Sequence, residues 1–163
     1  MKYFIIIRGP LGVGKSTIAQ KLAKSLKAHY VPIDSVLEKY GLDKVRTEKW
    51  IPAKNFIKAN EIILPDVKAK LKKGKIVIFD ACFYHKKVIQ HLKKSIKAPC
   101  YVFTLKAPLK VCIERDRKRK KKHGKWAAIA VHNLVSRFDY GIIINTKNKT
   151  ANNVVKEIML YLP

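Results

Sequence analysis

The segment Gly9-Pro10-Leu11-Gly12-Val13-Gly14-Lys15-Ser16 combines residue types whose chemistry suits the phosphates of a nucleotide. Glycine backbones reach positive φ angles and turn successive N–H groups inward, and a helix that begins near Lys15 offers free N–H groups to an anion. In this Walker A spacing the Lys15 ammonium reaches the β- and γ-phosphates, and the Ser16 hydroxyl ligates Mg²⁺. We therefore predict that ATP and Mg²⁺ bind to Gly9, Gly12, Val13, Gly14, Lys15, Ser16 and Thr17.

Two aspartates, Asp34 and Asp80, follow apolar runs at the ends of predicted strands. Their positions carry information because the chain has only 11 Asp and Glu among 163 residues. A carboxylate beside a phosphate loop accepts a proton from an attacking hydroxyl, or holds Mg²⁺ through water. Asp34 is the candidate general base, with a helix N-cap as its alternative role. Asp80 is the candidate for metal support or substrate orientation, with a strand-end cap as its alternative.

A basic segment from Glu114 to Lys125 follows the fourth predicted strand and the start of a helix. Planar guanidinium groups bridge phosphate oxygens and stack on bases. Arg115 and Arg119 are four residues apart, so a continuous helix would place both on one face. We predict that both bind the triphosphate from a helical lid at about residues 113–126, with Arg119 in a catalytic role. Lys120–Lys122 are either a solvated face or a contact for nucleic acid.

Apolar runs of strand length alternate with stretches of helical periodicity along the chain. The runs are Tyr3–Ile7, Tyr30–Ile33, Ile76–Phe79, Tyr101–Leu105 and Gly141–Ile144. Strands that are apolar throughout are buried on both faces, and intervening helices imply parallel pairing. This pattern predicts a three-layer α/β fold in a single domain over residues 1–163. Within the long helical stretch that ends at Gly74, Pro65 is predicted to kink or split the helix.

The net charge, the cysteines and the first apolar run limit the kinds of protein that this chain can be. The 36 Lys and Arg exceed the acidic residues by 25, and such a field attracts polyanions, although a lysine-biased composition explains it equally well. Cys82, Cys100 and Cys112 lack metal-ligand spacing and are predicted to be reduced packing residues. The first apolar run stops at Arg8, too short for a signal peptide or a membrane span. We expect a cytoplasmic protein without a membrane partner, either a monomer or a small homo-oligomer.

The order of these motifs resembles the P-loop kinases of the polynucleotide kinase, chloramphenicol phosphotransferase and zeta toxin group, with gluconate and shikimate kinases more distant. The resemblance implies a five-stranded parallel sheet of order 2-3-1-4-5. Asp34 matches the general base of the polynucleotide kinases, and Asp80 matches their next strand-end aspartate. Arg115 corresponds to the arginine that lies against adenine in that group, and Arg119 to the arginine that contacts the phosphates.

The chain departs from the polynucleotide kinases on the acceptor side. Leu37 stands where they carry an arginine that reads the acceptor's phosphate, and Ala81-Cys82 stand where they have Thr-Asn. We predict an ATP-dependent kinase that transfers the γ-phosphoryl group to an acceptor hydroxyl. The acceptor is either a nucleic-acid 5′-hydroxyl or nucleoside, or a small metabolite or antibiotic. The alternative function is a nucleotide-dependent RNA-binding or regulatory module without transfer activity.

Overall fold

We describe a computed structural model of the chain that covers residues 2–46 and 50–163. Its strands are β1 (Phe4–Arg8), β2 (His29–Pro32), β3 (Val77–Ala81), β4 (Cys100–Lys106) and β5 (Ile142–Asn145). They form one parallel sheet in the order β2-β3-β1-β4-β5. The predicted fold class and strand order are confirmed, and the strand bounds differ from the predicted ones by one or two residues.

Seven helices connect the strands or flank them in the described part of the chain. They are α1 (Lys15–Leu26), α2 (Ile33–Lys39), α3 (Ala53–Lys72), α4 (Lys86–Ser95), α5 (Leu109–Arg117), α6 (Lys125–Val135) and α7 (Ala151–Met159). Of the two predicted effects of Pro65, a kink or a split, the split is wrong, because helix α3 runs through this proline without a break. Buried Phe56 and Val67 anchor the helix on either side of Pro65, and this packing offsets the lost backbone hydrogen bond. Within residues 2–46 and 50–163, no helix is both long and apolar enough to cross a membrane.

The central strand β1 is completely buried, and its side chains alternate between two cores. Phe4 and Ile6 face the core beneath α2, α3 and α4, whereas Ile5 and Ile7 face the core beneath α1 and α7. A strand that is apolar on both faces therefore receives helices on both sides, as the sequence pattern predicts. This sandwich holds the carboxyl end of β1 rigidly at the middle of one sheet edge.

The register of the sheet brings the candidate residues to that edge. Asp80 in β3 lies level with Ile7 of β1 on one side and with Pro32 of β2 on the other. The loop from Gly9 to Gly14 leaves β1 next to this point, and Asp34 follows β2. In a parallel sheet the carboxyl ends of neighbouring strands open at the same edge, where ligands bind.

Candidate active site

The loop between β1 and α1 turns through two glycines with positive φ, 78° at Gly12 and 98° at Gly14. A side chain at Gly12 would place its Cβ 2.1 Å from the carbonyl oxygen of Cys112 in α5. Gly14 is the N-cap of α1, so the free N–H groups and the positive dipole end of that helix open onto the loop. The backbone thus has the form of a phosphate cradle, and it rests directly on α5.

Lys15 is the first residue of α1 and is buried at the centre of the site. Its Nζ donates a hydrogen bond of 2.9 Å to the carbonyl oxygen of Pro10. Burial by itself would lower the pKa of this ammonium, yet the net shift is upward because Cys82, Asp80 and Asp34 lie nearby. The structure therefore brings Lys15 and both candidate carboxylates together and keeps the lysine charged.

Asp34 lies in the first turn of α2, one position after the helix begins. Pro32 occupies the N-cap, so the alternative role of Asp34 as an N-cap is wrong. The residue is exposed, yet neighbouring groups of the protein partly desolvate its carboxylate. This desolvation raises the pKa of Asp34, and nearby Asp80 adds to the rise, while Lys15, His123 and Arg119 oppose it. A carboxyl with a raised pKa suits a general base, since it holds a proton more firmly.

Asp80 is buried inside β3, one residue before the strand ends. Its Oδ2 accepts a hydrogen bond of 2.7 Å from the Tyr30 hydroxyl. Its Oδ1 is buried and has no hydrogen-bond partner in the part of the chain that the structure describes. The group that binds Asp80 Oδ2 is a side chain on β2 rather than a backbone amide at the strand end. This contact does not fit the alternative prediction that Asp80 is a strand-end cap. An orphaned carboxylate oxygen near Lys15 of the phosphate loop fits a hydrated Mg²⁺, which prefers oxygen ligands and retains several waters.

The segment predicted as a lid, about residues 113–126, runs from the second half of α5 through a turn to the start of α6, and Asp116 organises this turn. The buried Asp116 carboxylate accepts hydrogen bonds from the His123 N–H at 3.2 Å and the Gly124 N–H at 3.1 Å. The His123 imidazole Nδ1 lies 3.1 Å from Asp116 Oδ1. Burial by itself would raise the pKa of Asp116, but these bonds lower it on balance and keep the group ionised. Sequence reasoning missed this role; the available signal was an aspartate flanked on both sides by arginines within a basic segment.

The two lid arginines reach the phosphate loop in different ways. Arg115 donates from Nη1 to the Val13 carbonyl at 3.2 Å and to Thr146 Oγ1 at 3.0 Å, and from Nη2 to the Thr146 carbonyl at 3.0 Å. Arg119 lies beyond α5, which ends at Arg117, so the prediction that one helix carries both arginines is wrong. A turn continues past the helix end and still returns Arg119 to the loop. Together they line a cleft of about 260 Å³ with Gly12, Gly14, Lys15, Ser16 and Thr17.

A smaller pocket of about 200 Å³ adjoins this cleft on the far side of Arg115. Its walls are largely apolar, and Arg115 and Thr146 provide polar groups. The lining is completed by Val13, Gly14, Thr17, Ile18, Lys149, Ala151 and Val154. A flat apolar group with a few polar edge atoms, such as a nucleobase, suits a pocket of this composition.

The turn of the lid also approaches α2 across the cleft. Lys121 Nζ lies 3.5 Å from Glu38 Oε1, and both side chains are well exposed. An exposed pair of this kind is worth well under about 1 kcal/mol. The contact therefore brings the turn next to α2, but it holds the turn there only weakly.

A small apolar cluster includes Leu11 of the phosphate loop. Leu11, Cys82 and Val135 form a small buried cluster against which Tyr84 packs. Burial raises the pKa of Cys82 to about 11, so its thiol is neutral at ordinary pH. All three cysteines are free, in agreement with the predicted reduced state.

Arg8 supports the site in a way that sequence reasoning missed, because in the sequence it is only the charged residue after an apolar run. It is completely buried, and its guanidinium lies 4.3 Å from the Phe138 ring centroid. It donates to the carbonyl oxygens of Val135 at 3.0 Å, Phe138 at 3.1 Å and Phe83 at 3.4 Å, and to Thr104 Oγ1 at 3.1 Å. Burial lowers its pKa to about 10. Arg8 thus ties the end of the lid helix α6 to the sheet edge.

Comparison with known proteins agrees with this geometry. A model of the AAA domain family AAA_33 matches residues 4–138. The chain is 25% identical over 181 residues to the shikimate kinase of Francisella tularensis subsp. holarctica, covering 97% of this chain and 93% of that enzyme. A sugar kinase from Janibacter sp. HTCC2649 superimposes with a TM-score of 0.80 at 14% identity, covering 99% and 95% of the two chains. A gluconokinase from Sinorhizobium meliloti 1021 superimposes with a TM-score of 0.69 at 13% identity, and the match covers 98% of this chain and 90% of that one.

Proposed function

The chain belongs to the AAA domain family and is a P-loop kinase, and on this basis we propose that it transfers the γ-phosphoryl group of ATP to a hydroxyl of a small-molecule acceptor. One observation carries the proposal. Lys15, Asp34 and Asp80 converge at the mouth of the phosphate loop, beneath a lid that brings Arg119 to the same cleft. A charged lysine, a solvent-accessible carboxylate and an arginine are the groups that phosphoryl transfer to an alcohol requires.

On the nucleotide side, the triphosphate lies on the N–H groups of the loop and of the first turn of α1. Arg115 joins the loop to Thr146, and the adjoining pocket of about 200 Å³ receives the base. The Ser16 hydroxyl and Asp80 would hold the Mg²⁺ of the nucleotide, and the ion would neutralise phosphate charge. These assignments follow from the orphaned Asp80 oxygen and from the position of Ser16 at the start of α1.

On the acceptor side, Asp34 takes the proton from the acceptor hydroxyl. The hydroxyl oxygen then forms a bond to the γ-phosphorus, the bond to the β–γ bridging oxygen breaks, and ADP leaves. Lys15 and Arg119 stabilise the negative charge that spreads over the transferring group. Because desolvation by the surrounding protein raises the pKa of Asp34, this carboxylate accepts the proton more readily than a free aspartate does.

The acceptor class rests on the relatives and on the position of Leu37. The relatives are named as kinases of shikimate, a sugar and gluconate, which are small hydroxylated molecules. Leu37 of α2 is apolar and buried in the core, so this position presents no charged group to an acceptor phosphate. This favours a small alcohol over a phosphodiester chain.

A nucleic-acid 5′-hydroxyl or a nucleoside is the second candidate acceptor. The formal charge of +25 favours a polyanion, as does the finer resemblance of the lid spacing to polynucleotide kinases. Salt separates the two candidates. Affinity for a polyanion falls steeply as salt is added, whereas a neutral acceptor responds weakly.

The test is transfer of label from γ-labelled ATP, with Mg²⁺, to a panel of sugars, polyols, hydroxy acids, nucleosides and oligonucleotides. We expect label on a small hydroxylated compound with the wild-type protein, and loss of transfer in Asp34→Asn, which preserves the shape of the side chain. Label on oligonucleotides alone would assign the second candidate. Full transfer by Asp34→Asn would remove the base assignment, and absence of label on every acceptor class would contradict the proposed function.

A further inference from the structure

The hydrogen bond between Tyr30 and Asp80 joins the ends of two neighbouring strands at the mouth of the site. The Tyr30 hydroxyl lies 2.7 Å from Asp80 Oδ2, a short distance typical of a hydroxyl that donates to a carboxylate. Residue 30 is on β2 and residue 80 on β3, and the strands pair here in parallel register. One carboxylate oxygen is thus occupied, while Asp80 Oδ1 is buried without a partner among the described residues.

The geometry fixes the direction of this hydrogen bond. An ionised carboxylate carries no proton and can only accept, so the Tyr30 hydroxyl is the donor. The Tyr30 ring is partly buried against the core beneath α1, and this packing holds its hydroxyl beside Asp80.

We propose that Tyr30 is a positioning residue for the magnesium site, holding Asp80 Oδ2 so that the free Oδ1 faces the metal side of the phosphate loop. The inference rests on the proposed function for the identity of the site, but it concerns nucleotide binding rather than transfer. Without the Tyr30 hydroxyl, the charged group next to Asp80 is the Lys15 ammonium. The carboxylate would then turn toward Lys15 and away from the metal, and Lys15 would be drawn from the phosphates.

The test compares ATP affinity in Mg²⁺ and in EDTA, measured by calorimetric titration without any acceptor. Tyr30→Phe removes the hydroxyl and keeps the ring, which packs against the core beneath α1. We expect its affinity in Mg²⁺ to fall about tenfold, the lower range for loss of a group that orients a metal ligand. Its affinity in EDTA should stay within about twofold of the wild type, because the loop that binds the phosphates is unchanged.

Tyr101→Phe is the matched control. Tyr101 is also a half-buried tyrosine of the sheet, packs against the same core and stacks edge-on against Tyr3 with ring centroids 5.3 Å apart. In the described part of the chain its hydroxyl makes no side-chain hydrogen bond, so this variant should leave both affinities unchanged. Unaltered ATP affinity of Tyr30→Phe in EDTA also shows that the variant is folded.

A double-mutant cycle with Asp80→Asn separates positioning from a merely structural role. If Tyr30 acts through Asp80, then adding Tyr30→Phe to the Asp80→Asn variant should cause little further loss of ATP affinity in Mg²⁺. Three results would each overturn the proposal. The first is an equal loss of ATP affinity in Mg²⁺ and in EDTA for Tyr30→Phe, and the second is additive losses in the double-mutant cycle. The third is a wild-type ATP affinity that does not depend on Mg²⁺. Failure of label transfer with intact Mg²⁺-dependent binding would instead count against the proposed function alone.

Discussion

The two sides of the active site are built differently. On the nucleotide side the charged groups are tied to the main chain: Lys15 to the Pro10 carbonyl, and Arg115 to Val13 and Thr146. On the acceptor side the candidate base Asp34 makes no side-chain hydrogen bond within residues 2–46 and 50–163. The link between lid and α2 above it is one exposed pair, Lys121 and Glu38.

This difference assigns separate tasks to the two sides. The nucleotide side is preorganised, because its charged groups are already held in place. It therefore loses little conformational entropy when it binds a triphosphate. On the acceptor side, the base is not held by hydrogen bonds and the lid is held only weakly. We expect acceptor binding to close the lid and so to complete this side of the site. Nucleotide affinity and transfer should therefore respond to different substitutions.

The largest expected effect comes from Lys15→Ala. Its ammonium is the buried charge at the centre of the site, so the variant loses a donor to the phosphates in both ground and transition states. We expect kcat for transfer to fall about 10³-fold, together with weaker ATP binding. Steady-state transfer of label measures the effect, with Lys21→Ala on the exposed face of the same helix as the control. Near-normal transfer by Lys15→Ala would break the assignment of the nucleotide side.

Arg8→Met should give the next largest effect, on stability. The substitution leaves the buried carbonyl oxygens of Val135 and Phe138 without their donor, and such unpaired groups cost about 1–3 kcal/mol each. We expect the free energy of unfolding to fall by about 3 kcal/mol in urea titrations, with an unchanged slope. Because Arg8 anchors the end of α6, the KM for the acceptor should rise more than the KM for ATP. An unchanged urea midpoint would contradict the role of Arg8 as an anchor.

Arg115→Met tests the nucleotide side without removing a catalytic charge from the centre of the cleft. Val13 and Thr146 lose their shared donor, so the loop becomes less ordered, and we expect ATP affinity to fall about tenfold. The KM for the acceptor should stay the same. Arg117→Met is the control, since Arg117 points away from the loop and lies 3.4 Å from Glu114. A loss confined to acceptor binding would show that Arg115 belongs to the other side.

The smallest expected effect is a shift in pH dependence. Transfer needs Asp34 unprotonated, so activity is lost as pH falls through its pKa, which desolvation raises and the positive charges of His123 and Arg119 hold down. In His123→Asn one of those charges is absent, so the acid limb of kcat/KM for the acceptor should move to higher pH. The asparagine amide still donates toward Asp116, which preserves the lid turn. The control is His132→Gln, because the His132 ring contacts the Ala107 carbonyl oxygen instead. This variant should leave the acid limb of kcat/KM unchanged. A shift to lower pH would rule out this electrostatic arrangement.

Local patterns in the sequence predict the frame of the molecule well. The buried strands follow from short runs of apolar residues, and the loop follows from glycine and lysine spacing, because both depend on neighbours along the chain. The errors also have local causes. The end of α5 at Arg117 and the start of α2 at Ile33 each shift a candidate residue by one or two positions, a scale at which helix ends are decided by tertiary packing.

Contacts between distant residues could not be predicted in the same way. Tyr30 and Asp80 are 50 residues apart, and Arg8 lies 127 residues from Val135. Such pairs are set by strand order and by how helices cover the sheet edge, which no spacing along a single chain encodes. The buried partners of Asp80 and Arg8 therefore emerge only from the folded structure.

The division of the site is tested most directly by titrating ATP and Mg²⁺ into Asp34→Asn and Lys15→Ala side by side, without acceptor. Asp34→Asn should bind ATP within about twofold of the wild type, whereas Lys15→Ala should bind at least about tenfold more weakly. Equal weakening of ATP binding in the two variants would contradict the separation of a preformed nucleotide side from an acceptor side that carries the base.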